Sequence, residues 1–157
     1  MNYNQLATSK SIEKTMKSLT ENGLEVFVVE NGADALGMIK ELIPKGVSVM
    51  NGASLTLEKI GYVEYLKSGE HEWDNLHGKI FAETDRAKQL ALRKQATLSD
   101  YYLGSVHAVA ETGEFVIGSN TGSQLPHVAY TSSNLIFVVS TKKIVPTLTD
   151  AVNRLEE

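Results

Sequence analysis

Pro44-Lys45-Gly46-Val47-Ser48-Val49-Met50-Asn51-Gly52-Ala53-Ser54-Leu55-Thr56-Leu57 is the stretch on which the fold turns. Pro44-Lys45-Gly46 reads as a turn. Val47 to Met50 is short, apolar and β-branched, as a buried strand requires. Asn51 to Thr56 holds small and helix-capping residues. Leu57, Ile60, Val63 and Leu66 then recur at helical spacing. A turn, a buried strand, a polar loop and a helix in that order form the repeating unit of a parallel α/β sheet.

The same alternation extends in both directions. Upstream, Ile12, Met16 and Leu19 mark a helix that Asn22-Gly23 stops. Leu24 to Val29 reads as a buried strand, and Asn31 caps a helix whose apolar face is Ala35, Leu36, Ile39 and Leu42 to Ile43. Downstream, Gly69 to Gly78 reads as an irregular excursion carrying Trp73, whose ring is expected to pack on the body of the domain while its indole N–H finds a partner. Ala82 to Ala96 reads as one helix with apolar Ala87, Leu90, Ala91 and Ala96. Tyr101 to Val106 is a strand, and Ala108 to Ala110 with Phe115 to Ile117 forms a hairpin around Glu111 to Glu114. Leu135 to Ser140 reads as another buried strand. Thr147 and Asp150 stand at capping-box spacing before a last helix. The expected fold is α/β: a three-layer, mostly parallel, Rossmann-like sheet with helices on both faces and a small hairpin. It is read as one domain over residues 1–157, with residues 1–22 a helical segment packed on it.

Composition narrows the function. The chain has 157 residues, 42% of them hydrophobic, a formal charge of −4 and no cysteine. Its length suits one domain with a sizeable core. Without cysteine it has no disulfide, no thiolate nucleophile and no iron–sulfur cluster held by this chain alone. No stretch concentrates Lys and Arg with interleaved aromatics, so no nucleic-acid partner is expected; the basic residues between Arg86 and Lys94 alternate with apolar ones at helical spacing, which reads as a solvated helix face before a phosphate-binding one. The longest apolar run, Leu135 to Val139, is too short for a membrane span. Met1 to Lys10 is polar and unlike a signal peptide, so a cytoplasmic location is expected.

Ligands of such sheets bind beyond the carboxyl ends of the strands. Asn51 to Thr56, Gly104 to Thr112 and Gly118 to Gln124 fall there. They offer Asn51, Gly52, Ser54, Thr56, Gly104, Ser105, Thr112, Asn120, Thr121, Gly122 and Gln124 as binding residues for a small anion. The first loop was expected to add the dipole of the helix it opens. There is no phosphate-binding Gly-x-x-x-x-Gly-Lys and no Gly-x-Gly-x-x-Gly, so neither ATP nor NAD is indicated and no cofactor is expected. Glu111, at the edge of the second loop, is the candidate catalytic acid: a base, a nucleophile, or a brace for its own hairpin. His107 and His127 read as structural histidines first and as donors or bases second. His71 and His77 with Glu70, Glu72 and Asp74 match no metal-ligand spacing, so no metal site is expected.

Three segments carry a family likeness. Ile43 to Val49 with Asn51 to Gly61 resembles the first signature of the lactate-utilisation (LUD) domain family. Ser99 to Gly104 with Ala108 to Gly113 resembles its second, in the branch near lactate utilization protein C. Lys143 to Ala151 resembles its third. The resemblance implies a fold like that of ribose-5-phosphate isomerase, glucosamine-6-phosphate deaminase and coenzyme A transferases. It also implies a part in L-lactate oxidation beside iron–sulfur partner proteins. Relatives tend to carry an arginine where Gln124 falls and a histidine where Asn134 falls. Three functions follow as expectations: an accessory component binding a small anionic metabolite, an isomerase or acyl/CoA-transferase-like enzyme using Glu111, or an assembly module for an iron–sulfur partner.

Overall fold

The computed structural model describes residues 3–157; Met1 and Asn2, part of the polar N-terminal stretch, lie outside the described residues. The helices are α1 (Ser9–Glu21), α2 (Gly32–Leu42), α3 (Leu55–Lys59), α4 (Tyr62–Ser68), α5 (Leu76–Ala82), α6 (Arg86–Gln95) and α7 (Leu148–Glu156). The strands are β1 (Ser48–Asn51), β2 (Asp74–Asn75), β3 (Tyr101–Gly104), β4 (Ala108–Ala110), β5 (Phe115–Val116), β6 (Asn134–Phe137) and β7 (Ile144–Val145). The protein is a mixed α/β protein built from two compact units. One comprises residues 29–105 and 119–138, the other residues 1–28, 106–118 and 139–157.

The larger unit holds a four-stranded sheet in the order β2-β1-β3-β6, and every neighbouring pair in it is parallel. Its strands alternate faces. Val49 pairs with Tyr101, Met50 with Tyr102 and Asn51 with Leu103, which places Val49, Asn51 and Leu103 on one face and Met50 and Tyr102 on the other. The first face packs on Ile39 from α2 and Ile43 just beyond its end, Leu57 from α3, and Tyr62 and Leu66 from α4, with Trp73 completing the core. The second face carries a single π-helical turn, His127–Thr131, whose His127 ring stacks on Tyr102. Helical elements on both faces give the expected three layers.

The smaller unit pairs β4 antiparallel with β5 and parallel with β7. Ala108, Val145 and Ala151 of α7 form its core. The hairpin stands where the sequence places it, and the Thr147 side chain caps α7 by accepting from the Asp150 N–H. α1 ends as its sequence predicts. Gly23, at φ +83°, donates to the Thr20 carbonyl while Leu24 donates to that of Leu19, the paired bonds of a Schellman cap.

Several expectations are corrected. Leu24–Val29 forms no strand: no backbone ladder reaches it, and Phe27 and Val28 are about half exposed. Its β-branched residues suit a strand, but a strand exists only where a second chain segment pairs with it. The helix expected through Leu57, Ile60, Val63 and Leu66 is two helices, α3 and α4, separated by Gly61 in the left-handed conformation at φ +83°. The excursion Gly69–Gly78 contains the edge strand β2 and the start of α5. The helix expected over Ala82–Ala96 begins at Arg86, where the Asp85 carboxylate accepts from the N–H groups of Ala87 and Lys88. None of the residues of α6 is buried, so Ala87, Leu90 and Ala91 face solvent; only Ala96, just beyond, is buried. The strand expected to be buried over Leu135–Ser140 is an edge strand with Leu135 exposed.

Candidate functional site

β1 and β3 run parallel and end side by side, so the loops that follow them leave from the same edge of the sheet. In the larger unit this brings parts of all three small-residue loops together. The Ser105 hydroxyl lies 3.4 Å from that of Thr56 and donates to the Val138 carbonyl at 2.6 Å. Gly52 faces the Gln124 side chain, whose Oε1 would stand 3.5 Å from a Cβ at Gly52. Gly122 donates to the Ser119 hydroxyl, and the Thr121 hydroxyl to that of Ser123, so the third loop is braced within itself. No lysine or arginine occurs in Asn51–Thr56 or Gly118–Gln124.

The helix dipole expected of the first loop is not supplied. α3 has only five residues, too few aligned peptides for a substantial macrodipole. The Ser54 side chain already accepts from the Leu57 N–H and the Ser54 carbonyl from Glu58. The loops contribute hydroxyls, amides and the room left by glycine.

Tyr102 is the residue at this edge that the sequence reading passed over. Its ring leans along the sheet across the positions where two glycines omit their side chains. A Cβ on Gly104 would stand 3.1 Å from the ring, and one on Gly52 would stand 2.5 Å from the hydroxyl. On its other side the His127 ring stacks with centroids 4.2 Å apart. Glycine on one side and imidazole on the other hold the phenol in one direction. Tyr102 is 1% exposed and its hydroxyl has no hydrogen-bond partner among the described residues. An unpaired buried hydroxyl costs about 1–3 kcal/mol. Burial pushes the phenol's pKa up to about 12, so it stays protonated. Burial likewise holds the His127 imidazole below its ordinary value, and His127 Nδ1 lies 3.2 Å from the Ser132 hydroxyl.

The Asn51 side-chain oxygen Oδ1 is also buried without a partner among the described residues, while its Nδ2 donates to the Gly52 carbonyl at 3.3 Å. Strand alternation puts that side chain on the Val49 face, opposite Tyr102.

Glu111 and Thr112 belong to the smaller unit. Glu111 accepts from the Ser11 hydroxyl through one oxygen and from Lys14 Nζ at 3.0 Å through the other, and its carbonyl accepts from Ser18. The Thr112 hydroxyl donates to Glu114. The Ser11 hydrogen bond, helped by Lys14, holds the Glu111 carboxyl below the ordinary glutamate range against the opposing effect of burial. Because the folded value is the lower one, this stabilisation is present at neutral pH. It fades as pH falls from the ordinary glutamate range through that lower value. Glu111→Gln is therefore expected to lose about 1 kcal/mol at pH 7, mostly the Ser11 bond, since Lys14 is half exposed and screened. Urea unfolding of both proteins from pH 7 downward checks this: the difference should shrink with acidity.

His107, in the same unit, accepts at Nδ1 from the Gly118 N–H at 3.1 Å, and burial followed by Lys143 and Arg154 lowers its pKa. His71 stacks on Trp73 and His77 packs on Phe81. Among the described residues no three histidine or acidic side chains gather in a way that could hold a metal ion. Hollows of about 110 Å³ beside Ile80 and Ala96 and about 230 Å³ along Arg86 and Arg93 lie on α5 and α6. Neither is lined by an orphaned buried polar atom, so the loops remain the candidate site.

Polar loops gathered at the carboxyl ends of a parallel, helix-covered sheet define an α/β protein of the kind that takes ligands at its strand ends. The chain belongs to the LUD domain family, whose profile matches residues 12–157. No curated protein and no solved structure matches it.

Proposed function

We propose that this LUD-domain chain is an accessory component of L-lactate oxidation that binds a small carboxylate at the ends of β1 and β3. The observation that carries the reading is the meeting of Gly52, Thr56, Ser105 and Gln124 at one sheet edge. Uncharged hydroxyl and amide groups there, with no cation beside them, suit a small anion held by partial charges. Oxidation itself falls to an iron–sulfur partner, since a chain without cysteine cannot hold such a cluster alone. The setting we propose is the cytoplasm. No helix among the described residues is long and apolar enough to cross a membrane.

Catalysis by Glu111 has less support. Both carboxylate oxygens are engaged, and the depressed pKa makes the group a weak base. Titration calorimetry with L-lactate and pyruvate tests the proposal. Without a charged partner the expected dissociation constant is no tighter than roughly micromolar. Silence toward both carboxylates at millimolar concentration overturns the reading.

A further inference from the structure

We propose that the Tyr102 hydroxyl, buried and unpartnered over Gly52, donates a hydrogen bond to a carboxylate oxygen of the ligand bound at the ends of β1 and β3. This rests on the small-anion reading above and adds the group that anchors the ligand. The hydroxyl of a protonated phenol is a donor seeking an acceptor. None is supplied among the described residues, although buried polar groups are nearly always paired. Tyr62 has an unpartnered hydroxyl too, but its ring belongs to the apolar core with Leu57 and Leu66. Tyr102 instead reaches the strand-end edge, where its hydroxyl and the Gln124 amide lie about the same Gly52 position.

The arrangement is pre-aimed. Gly104 and Gly52 leave room for the ring and the hydroxyl, and His127 closes the other face. A donor whose direction is fixed before binding loses little entropy when the ligand arrives. Gln124 faces the same Gly52 position from a loop whose Asn120, Thr121 and Ser123 are exposed. The absence of a cation explains why a buried neutral donor matters: with no Lys or Arg in the first and third loops, one well-placed hydrogen bond is a large share of the affinity.

The test is L-lactate and pyruvate titrated into the full chain and into Tyr102→Phe, with thermal unfolding measured on both. The variant is expected to melt at the same temperature or higher, because it discards an unpaired hydroxyl. Its carboxylate binding should weaken about 10- to 100-fold, the range for a hydrogen bond to a charged acceptor. Parent binding with unchanged affinity in Tyr102→Phe overturns the Tyr102 assignment and leaves the small-anion reading standing; a resident water as the hydroxyl's partner would give this result. A silent parent overturns both. Should Tyr102→Phe not fold, tyrosine labelled with ¹³C at Cζ in the parent decides. The Tyr102 signal, identified by its contact with the His127 ring, must move on saturation with L-lactate, and a stationary signal overturns the assignment.

Discussion

Gly52→Ala is expected to destabilise the protein by about 2 kcal/mol, within the range for forcing an extra methyl against a fixed neighbour. The midpoint of thermal unfolding should fall by roughly 4–8 °C for a chain of this size. The added methyl would stand 2.5 Å from the Tyr102 hydroxyl, closer than real Cβ atoms come to any neighbour. Tyr102 cannot retreat, because His127 stacks on its ring. In a Tyr102→Phe background the nearest ring carbon is 3.6 Å from that methyl and Gln124 is 3.5 Å away, both ordinary contacts. There the same substitution should cost close to nothing. Thermal melts of the parent, both single variants and the double variant close a mutant cycle whose coupling should approach the whole 2 kcal/mol. Equal costs in both backgrounds would mean that the hydroxyl is not against Gly52.

Trp73→Ala should have a still larger effect, about 3–5 kcal/mol. Trp73 is 8% exposed, its ring is stacked near Tyr62 and His71 and set edge-on to Tyr65, and its indole N–H donates to the Ile43 carbonyl at 3.2 Å. Removing it opens a cavity in the main core and leaves a buried carbonyl unpaired. Trp73→Phe keeps most of the volume and should cost less than half as much. As the sole tryptophan, it reports on its own environment: the native chain should emit at the short wavelength of a buried indole and shift red in urea. Urea unfolding followed by circular dichroism gives the stabilities of both variants. An emission already at the fully hydrated wavelength in native buffer would contradict the packing.

What was legible in the sequence was local chemistry. Asn22-Gly23, Asn31, Ser54 and Thr147 end or begin helices by bonds to residues two to five positions away, and each does so in the structure. The strand at Val49 and the meeting of polar loops at its end also follow from the order of elements. What stayed hidden depends on partners distant in the chain. Leu24–Val29 has the composition of a strand, but its pairing lies in no local pattern. Leu90 sits at core-like spacing on a helix with no buried residue. Tyr102 looked like any strand aromatic. Its role appears only once register sets it against Met50 and places Gly52 beside its hydroxyl. The spacing Tyr102-Leu103-Gly104 was the available clue, since a glycine two positions along a strand leaves space on the same face.

Each unit is assembled from separated stretches of chain, which leaves the ribosome no simple order in which to complete them. Residues 29–105 emerge without β6, the outer neighbour of β3, which is supplied only at residues 134–137. Ser11 must wait 100 residues for Glu111, on the order of 5–20 seconds at about 5–20 residues per second. Throughout that interval Ser11, Lys14 and Ser18 of α1 lack the Glu111 to which they donate. Truncation from the C-terminal side removes β7 and α7 from the smaller unit before it takes anything from the larger.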